Sequence, residues 1–245
     1  MKPLSAAQLE SYRQHGFLVV REVFGNSDLE TFWLESDRLW KLMELDQSNR
    51  RIQWRNRVDG GRTADRLDPV LDISPAFEIA AREPLITAAV GQLLHHPVPE
   101  IFKSKLISKW PQTTGYALHQ DYTYWPGLGN ASPDDFVTAL IALDRSDTRS
   151  GALVLFPGLH HCKLPPPPGN ARDVDEKSVD PSKAVRPDLN PGDVVFFHSM
   201  TPHRSGPNLS PHNRQSLFFT YVTPGYDDLS RQYYAERPDD FMEPE

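Results

Sequence analysis

From about residue 100 onward the chain breaks into strand-like segments, the loosely alternating Glu100–Lys109 and then Phe136–Leu143, Ala152–Phe156, Asp193–Phe197 and Gln215–Val222, separated by Gly- and Pro-bearing turns. Runs this short bury little unless they pair, and turns this frequent favour antiparallel neighbours over helical crossovers. The first hundred residues read differently. Ser5 with Gln8 has the spacing of a capping box, Leu9, Tyr12 and Phe17 supply apolar anchors, and Gly16 is placed to end that helix. Phe17–Val20 reads as a short buried strand. A second helix is predicted from Ser27 to Leu45, with Leu29, Phe32, Trp33, Leu39, Trp40 and Met43 recurring at helical spacing. A third starts after Glu83, with Pro84 in its first turn and Leu85, Ile86, Val90, Leu93 and Leu94 facing inward. Helices followed by about eight antiparallel strands predict a mainly β chain, a jelly roll with its N-terminal helices packed on one face.

Composition narrows this further. The 245 residues include 23 prolines and 14 glycines, consistent with many turns in one domain spanning 1–245. Cys162 is the only cysteine, so neither an intramolecular disulfide nor a Cys-cluster metal site can form. No run of about eighteen apolar residues is present, and Met1–Ser5 lacks the apolar core of a signal peptide. The expectation is a soluble, reduced, cytoplasmic protein. The formal charge of −7 argues against nucleic-acid binding. That charge is uneven: between Arg50 and Arg66 six arginines stand against Asp59 and Asp65, a local +4. The segment between Cys162 and Gly192, rich in Pro and Asp and including Pro165–Pro168, reads as one long loop over the barrel, a candidate lid.

His119-Gln120-Asp121 carries the first chemical signal. In a strand, residues two apart share a face, so an imidazole and a carboxylate project together. They supply two ligands of a facial triad for Fe(II), which needs one more histidine and leaves three positions for cosubstrate and oxygen. His203 is the best third ligand, since it follows an apolar strand and precedes the Gly206-Pro207 turn; His198, after the same strand, competes with it. Eleven residues beyond His203, Arg214 opens the last strand with Ser216 on the same face. A buried guanidinium fork suits the distal carboxylate of a dicarboxylic acid.

Together these elements resemble the phytanoyl-CoA dioxygenase family of Fe(II)/2-oxoglutarate oxygenases, over roughly residues 8–225. The family shows His-x-Asp, a distal histidine and Arg-x-Ser at about this separation, here His119-Gln120-Asp121, His203 and Arg214-Gln215-Ser216. Gly151 to His160 is similar to the family's Gly-x-Leu-x-x-x-Pro-Gly-Ser-His turn, with Leu159 in place of serine, and Pro191-Gly192-Asp193 resembles the turn before the distal histidine. The resemblance implies a cupin-like double-stranded β-helix, an Fe(II) centre, 2-oxoglutarate as cosubstrate and O2 as oxidant. It implies hydroxylation of an unactivated C–H bond of a small molecule, with release of succinate and CO2. Asp121 argues against halogenation, because family halogenases lose that carboxylate. Lys103, Lys105 and Lys109 share one strand face, and the family pattern points to Lys105 as a cosubstrate contact. Thr138 aligns with a position that can hydrogen-bond 2-oxoglutarate, and Leu140 stands where some relatives have tryptophan.

Other residues have plainer readings beside functional ones. Tyr122, Tyr124 and Trp125 follow Asp121 and either pack the barrel or touch substrate. Within the arginine-rich loop, Arg55 and Arg57 are either solvated or clamp an anionic substrate such as a carboxylate, phosphate or phosphonate. His95, His96, His160 and His161 read as structural or exposed, and His15 and His212 as surface residues. Two rival functions stay open, a zinc hydrolase using the same ligands and a non-catalytic cupin-like module. Oligomeric state is not encoded in any feature of the chain.

Overall fold

The Ser5 hydroxyl accepts from the Gln8 amide at 3.2 Å and the Gln8 side chain accepts from the Ser5 amide at 2.9 Å, so the first helix, α1 (Ala6–His15), opens on a capping box. The computed structural model describes residues 4–125, 128–226 and 228–236; Met1–Pro3, the start of the segment expected not to be a signal peptide, lie outside them. The chain then runs β1 (Phe17–Val20), α2 (Asn26–Glu44), β2 (Ile52–Asn56), β3 (Arg62–Leu67), α3 (Pro75–Ala81), α4 (Pro84–Leu93), β4 (Glu100–Lys109) and β5 (Tyr116–His119). It continues through β6 (Phe136–Ala142), β7 (Leu153–Leu155), β8 (Val194–His198), β9 (His203–Ser205), β10 (Arg214–Val222) and α5 (Leu229–Glu236). No helix among the described residues is long and apolar enough to cross a membrane.

Two antiparallel sheets form the jelly roll. The major sheet has the order β1-β8-β6-β10-β4-β3-β2, and the minor one β5-β9-β7. The central strands are buried on both faces, which is why β6 reads as a continuous apolar run. Its Val137, Ala139 and Ile141 pack on the helical side with Phe32, Phe77 and Val90, while Leu140 and Ala142 face Leu153 and Leu155 of the minor sheet. The N-terminal helices therefore cover one face of the major sheet, and the other face lines the barrel.

Three expectations need correction. The 50–66 segment is not a loop but the β2–β3 hairpin at the edge of the major sheet, turned by Asp59-Gly60-Gly61 with both glycines at positive φ. Its arginines disguised the strands, because their charges meet protein partners: Arg51 pairs with Asp72, Arg55 with Asp65 and Arg57 with Asp59. The strand count is ten among the described residues, because β2 and β3 join the sheet. Trp33, placed among the inward anchors of α2, is 36% exposed and donates its indole N–H to the Leu143 carbonyl at the sheet's rim.

The 162–192 segment does lack regular strands, but it is strapped down. Val174 donates to the Leu118 carbonyl at 2.8 Å along one edge of the minor sheet, and Val185 exchanges two hydrogen bonds with Leu155 along the other. Val174 and Val179 pack with Leu118, Val154 and Phe156 in a core of their own. Each such buried side chain contributes about 1.5–3 kcal/mol. Both edges of the minor sheet are thereby closed.

Candidate metal centre

His119 ends β5 and His203 begins β9, and the two are direct partners in the strand pairing. Asp121 lies just beyond, in a single helical turn (121–124) that swings its carboxylate back to the histidines. One ligand atom from each of the three lies within 4.8 Å of the others, and all three residues are buried. Both imidazoles are held alike. His119 Nδ1 donates to the Ala117 carbonyl at 2.7 Å and His203 Nδ1 to the Thr201 carbonyl at 2.8 Å. A carbonyl can only accept, so each Nδ1 carries a proton and Nε2 is the ligand atom each ring offers. Those Nε2 atoms face the Asp121 carboxylate at 3.5 and 3.9 Å. Burial works against ionisation of Asp121, but the bond from His119 and the field of Lys105 outweigh it and hold the carboxyl below its usual range. Burial, with His119 adding to it, lowers His203 to about 4. Two imidazoles and one carboxylate, with ring orientations fixed from behind, are the donor set a facial Fe(II) triad requires.

The triad opens into a cavity whose walls include Lys105, Tyr116, Arg214 and Ser216. Arg214 is buried opposite Lys109 in the β10–β4 pairing. Its guanidinium donates to the Ser216 hydroxyl at 3.2 Å and the Gly151 carbonyl at 2.8 Å, while the buried Nε has no protein partner. Burial pulls its pKa down to about 10, which marks a cation short of negative charge. Gly151 is required where it stands. Its φ is +73°, and a Cβ there would meet the Gly206 carbonyl at 2.5 Å, so no other residue could bring this carbonyl to Arg214.

The remaining candidates separate cleanly. Lys105 reaches the cavity, its Nζ 5.3 Å from the centre of the Phe218 ring. Thr138 does not line the cavity; its hydroxyl bonds that of Thr220 at 3.0 Å, and Leu140 forms the wall instead. Tyr124 presents its ring edge to His119 with centroids 5.6 Å apart and donates its hydroxyl to Asp173. Tyr122 bonds the Ala131 carbonyl, and Trp125 packs on Phe102 and Phe136. Arg55 and Arg57 do not line the cavity. His198 stands apart from the triad: Nδ1 accepts from the Met200 amide at 3.0 Å, so Nε2 carries the proton and donates to Asp134.

Sequence reasoning overlooked Gln120, treating it as a spacer. It is fully buried on the opposite side of the backbone from its neighbours' ligand atoms. Its amide donates to the Cys162 and Met200 carbonyls at 2.9 and 2.8 Å and accepts from the Leu164 amide at 2.9 Å. It thus ties the 162–192 segment and the approach to His203 onto the His-x-Asp turn. The one signal available was the period of two, which aims the middle residue of the motif away from the metal.

The family model for phytanoyl-CoA dioxygenase (PhyH) matches residues 12–216, and the chain belongs to that family. This makes it a 2-oxoglutarate-dependent non-haem iron dioxygenase. A methylphosphonate hydroxylase of Gimesia maris is 26% identical over 98% of this chain and 89% of its own length. Among solved structures, EctD of S. alaskensis with 2-oxoglutarate and 5-hydroxyectoine superposes with a TM-score of 0.75 at 19% identity, covering 90% of this chain and 77% of its own. The 2-oxoglutarate-dependent carbocyclase SnoK of nogalamycin biosynthesis gives 0.73 at 22% identity, covering 99% and 94%. At these identities the structural likeness speaks for the jelly-roll fold.

Proposed function

We propose that this chain, working as one domain, hydroxylates an unactivated C–H bond of a small anionic molecule, with His119, Asp121 and His203 holding the iron. The observation that carries this reading is the pairing of two features in one cavity: three converged, preoriented ligand atoms and a buried guanidinium with an unsatisfied Nε. Bound iron and 2-oxoglutarate supply the oxidising chemistry, in which O2 and 2-oxoglutarate become succinate, CO2 and the hydroxyl oxygen. The protein's part is placement. Arg214 and Ser216 bind the far carboxylate, and Lys105 adds positive charge beside Asp121. The apolar wall of Phe218 and Leu140 keeps water from the cosubstrate.

An anionic substrate fits the positive charge of Lys105 and Arg214 on the cavity walls. Similarity to a methylphosphonate hydroxylase supports the same class. A zinc hydrolase fits less well, because Asp121 is the only carboxylate among the described cavity walls and Arg214 would have no role. The test is a panel of small phosphonates, carboxylates and neutral compounds incubated with Fe(II), 2-oxoglutarate and 18O2. Anions should stimulate succinate formation and gain one labelled oxygen; stimulation confined to neutral or cationic compounds would reject the anionic class.

A further inference from the structure

Tyr116, the first residue of β5, is gripped on every side. Its hydroxyl donates to Asp65 at 2.8 Å, and its amide donates to the Ser205 hydroxyl at 3.2 Å. The Arg55 guanidinium lies 3.7 Å from its ring centroid and the Lys109 ammonium 5.6 Å. Arg55 in turn donates Nε to Asp65 at 3.1 Å and NH1 to the Gly115 carbonyl at 3.2 Å, and both charges of that pair are buried. The β2–β3 hairpin therefore braces one tyrosine.

That tyrosine stands at a partition. Behind the cavity that holds the triad and Arg214 runs an outer groove bordered by Arg186, Arg204 and Glu176. Among the described residues, only Tyr116, Arg204 and Ser205 line both spaces. Ser205 is fixed by Lys109, which donates to its hydroxyl at 2.8 Å.

We infer that Tyr116, held by the Arg55–Asp65 pair, sets the chain length of the 2-oxo dicarboxylic acid this cavity accepts, by closing its Arg214 end against the outer groove. The inference rests on the cosubstrate reading above. An acid that meets both the triad and Arg214 has a fixed span, and the Tyr116 ring stands between that cavity and the outer groove. One methylene in a shaped pocket is worth about 10–200-fold in discrimination. The buried Arg55–Asp65 pair of the hairpin thus acts on the cosubstrate through Tyr116; Arg55 and Asp65 are positioning residues and touch neither acid.

The experiment is calorimetric titration of Mn(II)-loaded protein with 2-oxoglutarate and with its six-carbon homologue 2-oxoadipate. Wild type should prefer 2-oxoglutarate. Tyr116→Ala should narrow that preference by roughly tenfold or more, chiefly through tighter binding of 2-oxoadipate. Tyr116→Phe and the Arg55→Met/Asp65→Leu double variant, which removes both buried charges together, should narrow it less because the ring stays. Equal weakening of both acids in folded Tyr116→Ala, or an unchanged ratio, overturns the inference. If that variant does not fold, an unchanged ratio in the other two overturns it. Wild type that binds neither acid defeats the cosubstrate reading itself, and the inference with it.

Discussion

Arg214 and Gln120 show how single buried polar groups divide the labour of this site. Arg214 has a hydrogen-bonding atom left over for a ligand, whereas Gln120 has all its bonds within the protein. Replacing Arg214 by Met should therefore leave the fold intact and weaken 2-oxoglutarate binding by roughly 2–4 kcal/mol, about 30- to 1000-fold. Titration of 2-oxoglutarate into the folded variant checks this; unchanged affinity would remove Arg214 from the site. Gln120→Leu should do the reverse. It strands two carbonyls and one amide, so thermal unfolding should report a loss of about 2–4 kcal/mol, with Fe(II) affinity falling alongside. The three converging ligand residues and Arg214, proposed here to hold metal and cosubstrate, were legible in the sequence because their types and spacing are dictated by coordination and charge. Gln120 and Tyr116 were not, because their roles depend on which distant segments fold against them. Arg55 misled for a related reason: an arginine cluster looks the same whether its charges face a ligand or meet Asp65 and Asp59.

Among the elements, strands buried on both faces were readable as apolar runs, and β4, β6, β8 and β10 fall within a residue or two of their expected bounds. The β2–β3 hairpin was missed although Asp59-Gly60-Gly61 is a hairpin turn signal, since composition drew attention away from pattern. Helix α3 carried its own start signal in Ser74-Pro75, with the Ser74 hydroxyl accepting from the Phe77 amide at 3.2 Å. The 162–192 segment is the instructive case. Its prolines and aspartates read as a loop, and no local pattern could disclose that Val174 and Val185 complete the minor sheet. Hydrogen exchange should find those two amides protected roughly 100-fold or more relative to the exposed amides of Gly169 and Ala171. Uniformly fast exchange from 162 to 192 would mean the strap is open in solution.

For the molecule as a whole, the turn at Pro157–His160 joins the barrel to its helical cover. Gly158 donates to the His15 carbonyl at the end of α1, and His160 sits against Gly16 beside His198. Burial, with His161 and His198 nearby, lowers the His160 pKa to about 4. Because the folded value lies below the unfolded one near 6.5, this histidine leaves stability at its full value above pH 6.5 and costs it as pH falls from there toward 4. The loss should be of the order of 1–2 kcal/mol, and His160→Gln should flatten that part of the unfolding profile. A profile unchanged by the substitution would place the acid sensitivity elsewhere. The central claim is that His119, Asp121 and His203 bind Fe(II) with Arg214 positioned for 2-oxoglutarate. Its most direct test is anaerobic addition of Fe(II) and 2-oxoglutarate to the purified protein, followed in the visible region. A metal-to-ligand charge-transfer band should appear in wild type, be abolished in His119→Ala and need higher 2-oxoglutarate in Arg214→Met. A folded, iron-loaded wild-type protein that shows no band would contradict that claim.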